Sequence, residues 1–219
     1  MNSTVSSNTA AYSDIGFAVG DGGGIYNSGG TLTITESVVS NNLAGVTDPW
    51  PAGTGGGIVS NGTLTITNST ISGNIGYLAG GGIAGYGVVI IASSTISGNG
   101  ATGQHDGQPW GVGGGISGTV TLTNNTVSGN YAVLSGGGID GGGAIINSTI
   151  SGNNGGGVSV TDTLEIGNSI LNASSPNISN NGGTVTSQGY NVCIDDGGGF
   201  LNGPGGPDQY RSPTRSIAI

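Results

Sequence analysis

Gly55–Asn74 reads GGGIVSNGTLTITNSTISGN, and nearly all of the remaining chain is an edited copy of it. Its parts return as GGGIYN and TLTITESVVSNN within Gly22–Asn42, as GGGIAGYGVVIIASSTISGN at Gly80–Asn99 and as GGGISGTVTLTNNTVSGN at Gly113–Asn130. GGGIDGGGAIINSTISGN (Gly136–Asn153) is a further copy and GGGVSVTDTLEIGNSIL (Gly155–Leu171) a worn one. A repeat of this length governs the architecture before any local propensity does. Within Thr63–Thr67, apolar Leu64 and Ile66 alternate with threonines, the period of a half-buried strand. Ile58 and Ile71 mark two further short strands, so each unit offers three, separated by Gly, Asn and Ser corners. No window carries helical periodicity.

The inward positions align down the copies. One column runs Ile25, Ile58, Ile83, Ile116, Ile139, Val158, and another Leu32, Leu64, Val89, Val120, then Leu164. Ile34, Ile66, Ile91, Leu122, Ile145 and Ile166 form a third. Val5, Val39, Ile71, Ile96, Val127, Ile150 and Leu171 form a fourth. One unit cannot bury such residues alone; stacked units can, each strand pairing in parallel with its counterpart at roughly 4.8 Å. Asn8, Asn42, Asn74, Asn99, Asn130 and Asn153 fall at one corner, where stacked amides bond to one another and to turn backbone. Glycine makes up 50 of 219 residues, a proportion that suggests disorder only where it is aperiodic. The expectation is an all-β solenoid, a single domain of about six to seven coils.

The pattern resembles the right-handed parallel β-helix repeats of bacterial secreted and surface proteins, a pectin-lyase-like fold. GGGIYN and NSTISGN look like the GGAI or GGAL and FxxN elements of polymorphic outer-membrane-protein repeats. They look still more like the repeats of large secreted proteins that carry sorting anchors at their ends. The likeness covers about Asn2–Leu171. It implies the fold, its right hand (which the crossover rule also favours) and an extracellular or cell-surface location in a bacterium. It implies no shared catalytic residues.

Composition narrows the partners. The chain has 11 acidic residues, two arginines and no lysine, with a net charge of −9 and a pI near 4.1. No basic residue precedes Arg211, which excludes nucleic acid and disfavours anionic membrane surfaces. Cys193 is alone, so there is no internal disulfide framework, and a buried thiol is the expected state. No secretory signal or membrane span is apparent, which leads us to expect a mature fragment or a segment of a longer, monomeric protein.

Coil length varies at one place. From Ile25 to Ile58 is 33 residues, from Ile58 to Ile83 is 25, from Ile83 to Ile116 is 33 again, and the later coils shorten to 23 and 19. The extra residues form two insertions, Leu43–Thr54 and Gly100–Val112, each with a Pro-Trp dipeptide. Together they hold Trp50, Trp110, His105, Asp48 and Asp106, and they leave the same corner two coils apart. Insertions on one side of a solenoid often form its binding face. The competing reading has both tryptophans covering apolar flank. Repeat coils are expected over 1–171, an irregular last coil and cap over 172–209, and a tail over 210–219, where glycine vanishes and both arginines sit.

Three functions are open. The first is a non-catalytic adhesin, passenger or stalk that contacts a glycan or cell-surface polymer through Trp50, Trp110, His105, Asp106, Asp48 and Asp140. The second is a polysaccharide hydrolase or lyase. Lyases of the resembled fold use a Lys or Arg base, whereas this chain confines its two arginines to the tail. The outward column Tyr26, Val59, Ala84, Ser117, Asp140, Ser159 offers a single carboxylate, against the pair a hydrolase needs. The third is an ice-binding face built from Thr4, Thr70, Thr95, Thr126 and Thr149 beside a serine row, interrupted by Val38. No cofactor is expected. Calcium at Asp195 and Asp196 is the only metal suggested, and no spaced acidic series supports it. On the columns alone, Ile71→Asp places an unpaired charge between coils and should abolish cooperative folding, read as loss of the thermal transition. A variant that melts like the parent overturns the column assignment.

Overall fold

The structure is a computed structural model and describes residues 2–11, 20–45, 52–174, 176–201 and 208–210. Those residues are all-β in long parallel sheets, with no α-helix and one short 3-10 turn at Gly197–Gly199. One sheet of nine strands runs from Thr4–Ser6 through Val38–Ser40, Thr70–Ser72, Thr95–Ser97, Thr126–Ser128, Thr149–Ser151, Ile170–Asn172 and Val192–Cys193 to Gln209–Tyr210. A second, of five strands, follows the asparagine corner: Thr9–Ala10, Leu43–Ala44, Ile75–Gly76, Gly100–Ala101 and Tyr131–Ala132. The third and largest gathers the GGGI and TLTIT strands. Within these three sheets each strand pairs in parallel with its equivalent in the neighbouring repeats, an arrangement consistent with a β-solenoid.

The register is the one the repeat alignment predicts. Ile83 lies between Ile58 and Ile116, Ile91 between Ile66 and Leu122, and Ile96 between Ile71 and Val127. The gap in the second column is filled by Gly143, which sits between Val120 and Leu164. These columns form one continuous buried core. At its first rung Val5, Ile25 and Leu32 are only partly buried and line an open cavity of about 390 Å³. At the last rung Phe200 and buried Leu201 pack against it.

The corners show why the sequence repeats so strictly. In the corner from Asn8 to Asn153, each side-chain amide donates to the Oδ1 of the next asparagine at 2.9–3.0 Å. The same Oδ1 also accepts the backbone N–H of the preceding asparagine. The second amide hydrogen reaches a core carbonyl one coil back, as Asn99 Nδ2 does to Ile71 O at 2.9 Å. A second corner stacks Ser37, Ser69, Ser94, Asn125, Ser148, Ser169 and Asn191, each backbone N–H donating to the next side-chain oxygen. The residue just before each member of that series is left-handed: Glu36, Asn68, Ser93, Asn124, Asn147, Asn168 and Tyr190 have φ between 49° and 59°. Asparagine tolerates that conformation best among non-glycine residues, hence its frequency there. The GGG turns meet another constraint. A Cβ on Gly81 would stand 2.3 Å from the carbonyl oxygen of Gly100, so only glycine lets the two backbones approach.

Tyr210, which the composition break assigned to a tail, continues the nine-stranded sheet, its backbone paired with Cys193. Arg211–Ile219 lie outside the described residues. Replacing Asn99 with leucine strands the N–H and one amide hydrogen of Asn74 and removes the side-chain donor from the carbonyl of Ile71, while the backbone N–H at position 99 still holds Asn130 Oδ1. We expect Asn99→Leu to cost about 3 kcal/mol or more in urea unfolding, at roughly 1–3 kcal/mol per orphaned buried group. Asn8→Leu, at the exposed end, should cost far less. Equal losses at the two positions contradict the ladder as a source of stability.

Candidate functional site

The insertion at Gly100–Val112 is built as a rooted hairpin. Gly100–Ala101 belongs to the five-stranded sheet, and Gly103 N–H then donates to Tyr77 O at 2.7 Å. Gln104–His105 pairs antiparallel with Gln108–Pro109 across Asp106 and Gly107. Both turn residues have positive φ, 48° and 72°, as a two-residue hairpin turn requires. The return strand is tied down where Trp110 N–H and Gly111 N–H both donate to Gly103 O, at 2.9 and 3.1 Å. Val112 N–H then bonds to Leu78 O. The hairpin is therefore fixed at both ends to the rung below. An Asp-Gly pair between short polar runs is a strong hairpin signal.

The hairpin brings three of the expected site residues together. The His105 and Trp110 rings meet edge to face, 5.4 Å between centroids at 65°. His105 Nε2 lies 3.3 Å from Asp106 Oδ2. His105 is half-buried, Asp106 is exposed, and Trp110 keeps 44% of its surface in solvent. A half-exposed indole braced by a second ring, with a carboxylate beside it, suits a face that is apolar in part and hydroxylated in part. Trp50 and Asp48 lie outside the described residues. The strands that lead into the two insertions are in line, Ala44 and Ala101 flanking Gly76 on either side.

Asp140 stands in register between Ser117 and Ser159, and accepts from Ser135 Oγ at 3.3 Å. The column it belongs to is less open than its outward direction suggests. Val59, Ala84 and Ser159 are buried, because each preceding glycine turn folds back over the position. A Cβ on Gly55 would lie 2.4 Å from Val59 Cγ2, and one on Gly136 would lie 2.8 Å from Asp140 Cβ. Strand alternation specifies which side a residue points to but not what the next turn lays across it.

Asp195 and Asp196, the suggested calcium ligands, are engaged as caps. Asp196 accepts from Gly198 N–H at 3.0 Å. Asp195 accepts from the N–H groups of Asn177 and Gly197, each at 2.9 Å, and from the Cys193 thiol at 3.1 Å. Burial pushes the Asp195 carboxyl up, but these donors outweigh it and hold it below its ordinary value. Among the described residues no three His, Cys, Asp or Glu side chains gather as a metal site, and no helix is long and apolar enough to cross a membrane.

Cys193 is buried beneath the last coil. Desolvation first, and then the adjacent Asp195 carboxylate, push its thiol from 9.0 to about 12. The thiolate is thus disfavoured in the folded chain relative to the unfolded one. Its contribution to stability is complete below about 9 and is lost as pH rises toward about 12. Urea unfolding across that window should show a falling alkaline arm that Cys193→Ala flattens. An identical arm in the variant removes the thiol as its cause.

No family model, curated protein or solved structure matches this chain. Its function is to be argued from its own residues.

Proposed function

We propose that the chain is a right-handed parallel β-helix module of about six to seven coils, displayed outside a bacterial cell, that holds glycan-contacting loops on a rigid rod. The right hand is the one in which parallel crossover connections almost always run. The observation that carries the functional reading is the rooted hairpin, with Trp110 half-exposed against His105 and Asp106 alongside. Stacking of an indole on the apolar face of a sugar, with a carboxylate accepting hydroxyl hydrogens, needs no proton transfer and no cofactor. The role is passive: the polymer is held and not cut, and the module works as an adhesin, passenger or stalk segment acting as a monomer. A continuous core and two stacked polar corners supply the stiffness such a part needs.

A second reading draws on a different observation. Thr70, Thr95, Thr126 and Thr149 are in register on one sheet, and Ser72, Ser97, Ser128 and Ser151 run parallel to them. Such a regular hydroxyl array is the geometry an ice-binding face requires, and thermal hysteresis is its direct assay.

The glycan reading is tested by a glycan array followed by product analysis on each polymer bound. Binding without new reducing ends, lost in Trp110→Ala with the fold intact, is the expected result. Release of oligosaccharides makes the protein an enzyme, and binding indifferent to Trp110 moves the site elsewhere.

A further inference from the structure

The third rung breaks the rule of the largest sheet. Where Asn61–Thr67 presents threonines outward, the equivalent Tyr86–Ala92 presents Tyr86, Val88 and Ile90, with Val89 and Ile91 inward. These three are exposed by 63%, 57% and 41%. Ile90 lies between Thr65 and Thr121 of the neighbouring rungs, so a short apolar strip is framed by hydroxyl rows. At one end of the strip Tyr86 stands beside Asn61, its N–H bonded to Ser60 O. Asn61 in turn donates to the hydroxyl of Tyr26 at 3.2 Å, and Tyr26 is 53% exposed. Two exposed phenol rings therefore bracket one amide across three rungs, a distance of roughly 10 Å.

We propose that this face, Tyr26, Asn61 and Tyr86 with Val88 and Ile90, is a second binding surface and that its partner is a neutral polysaccharide. It is independent of the hairpin reading. The rings and the apolar strip suit the flat apolar face of a pyranose chain. The amide and flanking threonine hydroxyls suit its equatorial hydroxyls. Charge selects the class of polymer. No residue of Thr31–Thr35, Thr63–Thr67, Tyr86–Ala92 or Thr119–Thr123 is charged, and the chain as a whole carries −9, which repels uronate polymers. Size argues against a protein partner: one rung of three apolar side chains falls well short of the roughly 800 Å² that each side of a stable protein interface contributes.

The test is affinity electrophoresis of the full chain in gels cast with hydroxyethylcellulose, glucomannan or polygalacturonate. Retardation by a neutral polymer is expected. It should weaken roughly tenfold or more in the Tyr26→Ala/Tyr86→Ala double variant, which removes both stacking rings. Trp110→Ala should leave it unchanged, which separates this surface from the hairpin. The proposal is overturned by no retardation in either neutral gel, by retardation in polygalacturonate alone, or by retardation abolished through Trp110→Ala but kept in the double variant. Concentration-dependent self-association that the double variant abolishes would make the face a protein contact and overturn it equally.

Discussion

A buried asparagine has two amide hydrogens and a two-lone-pair carbonyl to satisfy, and at the corner from Asn8 to Asn153 this fold satisfies them by placing an identical asparagine in the next coil. Asn74, Asn99 and Asn130 each receive two hydrogen bonds from the asparagine before and give two to the asparagine after. A slip of one residue in any coil breaks this chain on both sides and also turns its apolar column outward. The ladder thus fixes register independently of hydrophobic burial. It also explains why coil length is free to vary between 19 and 33 residues. Most residues are gained or lost after the asparagine corner and the short strand beyond it, where the polypeptide has already been locked to its neighbour, and a few between the GGGI strand and the next.

The opposite corner is held to a looser standard for a visible reason. What the backbone N–H of Ser94 requires from Asn125 is one oxygen acceptor, and Ser69 meets the same need with a hydroxyl from Ser94. A serine there spends its own hydrogen on a carbonyl two residues back, as Ser69 and Ser94 do. Ser and Asn are therefore interchangeable at this corner. The serine and asparagine series of this corner ends on a carboxylate, where Asn191 N–H and amide both donate to Asp208. A carboxylate accepts without having to donate, which suits the place where a ladder of donors must end.

How much of this was legible in the sequence depends on how many copies carry each signal. The columns of Ile58, Leu64, Ile66 and Ile71 and the asparagine corner were read correctly, register included, because the copies vote on every position. The hairpin at Asp106–Gly107 occurs once, and its turn chemistry had to be recognised from two residues without that support. Burial of Val59 and Ala84 was not legible at all. Both are on the outward side by alternation, and the glycine turns that cover them are packed by tertiary geometry with no periodic trace. At Tyr210 composition changes, while backbone pairing with Cys193 needs only an extended chain and no characteristic side chain. The all-β parallel architecture and its register were accordingly legible, and the candidate site only as a list of unusual residues without their geometry.

The same reasoning indicates where function is to be sought in a repeat of this kind. Inward positions are committed to the core, and corner positions to the two ladders. Residues that face outward on the strands carry neither duty, and most copies fill them with Thr or Ser, which favour an extended wet surface. A departure from that filling at an outward position serves neither an inward column nor a corner ladder. Trp110 on its hairpin and the Tyr86, Val88 and Ile90 face are departures of this type, and both place apolar surface in water at a cost that folding does not recover. Glu36 and Tyr190 are departures of the other type, at left-handed corners where the backbone itself favours asparagine. The two kinds separate by one physical criterion, whether the position serves a neighbouring coil or faces solvent.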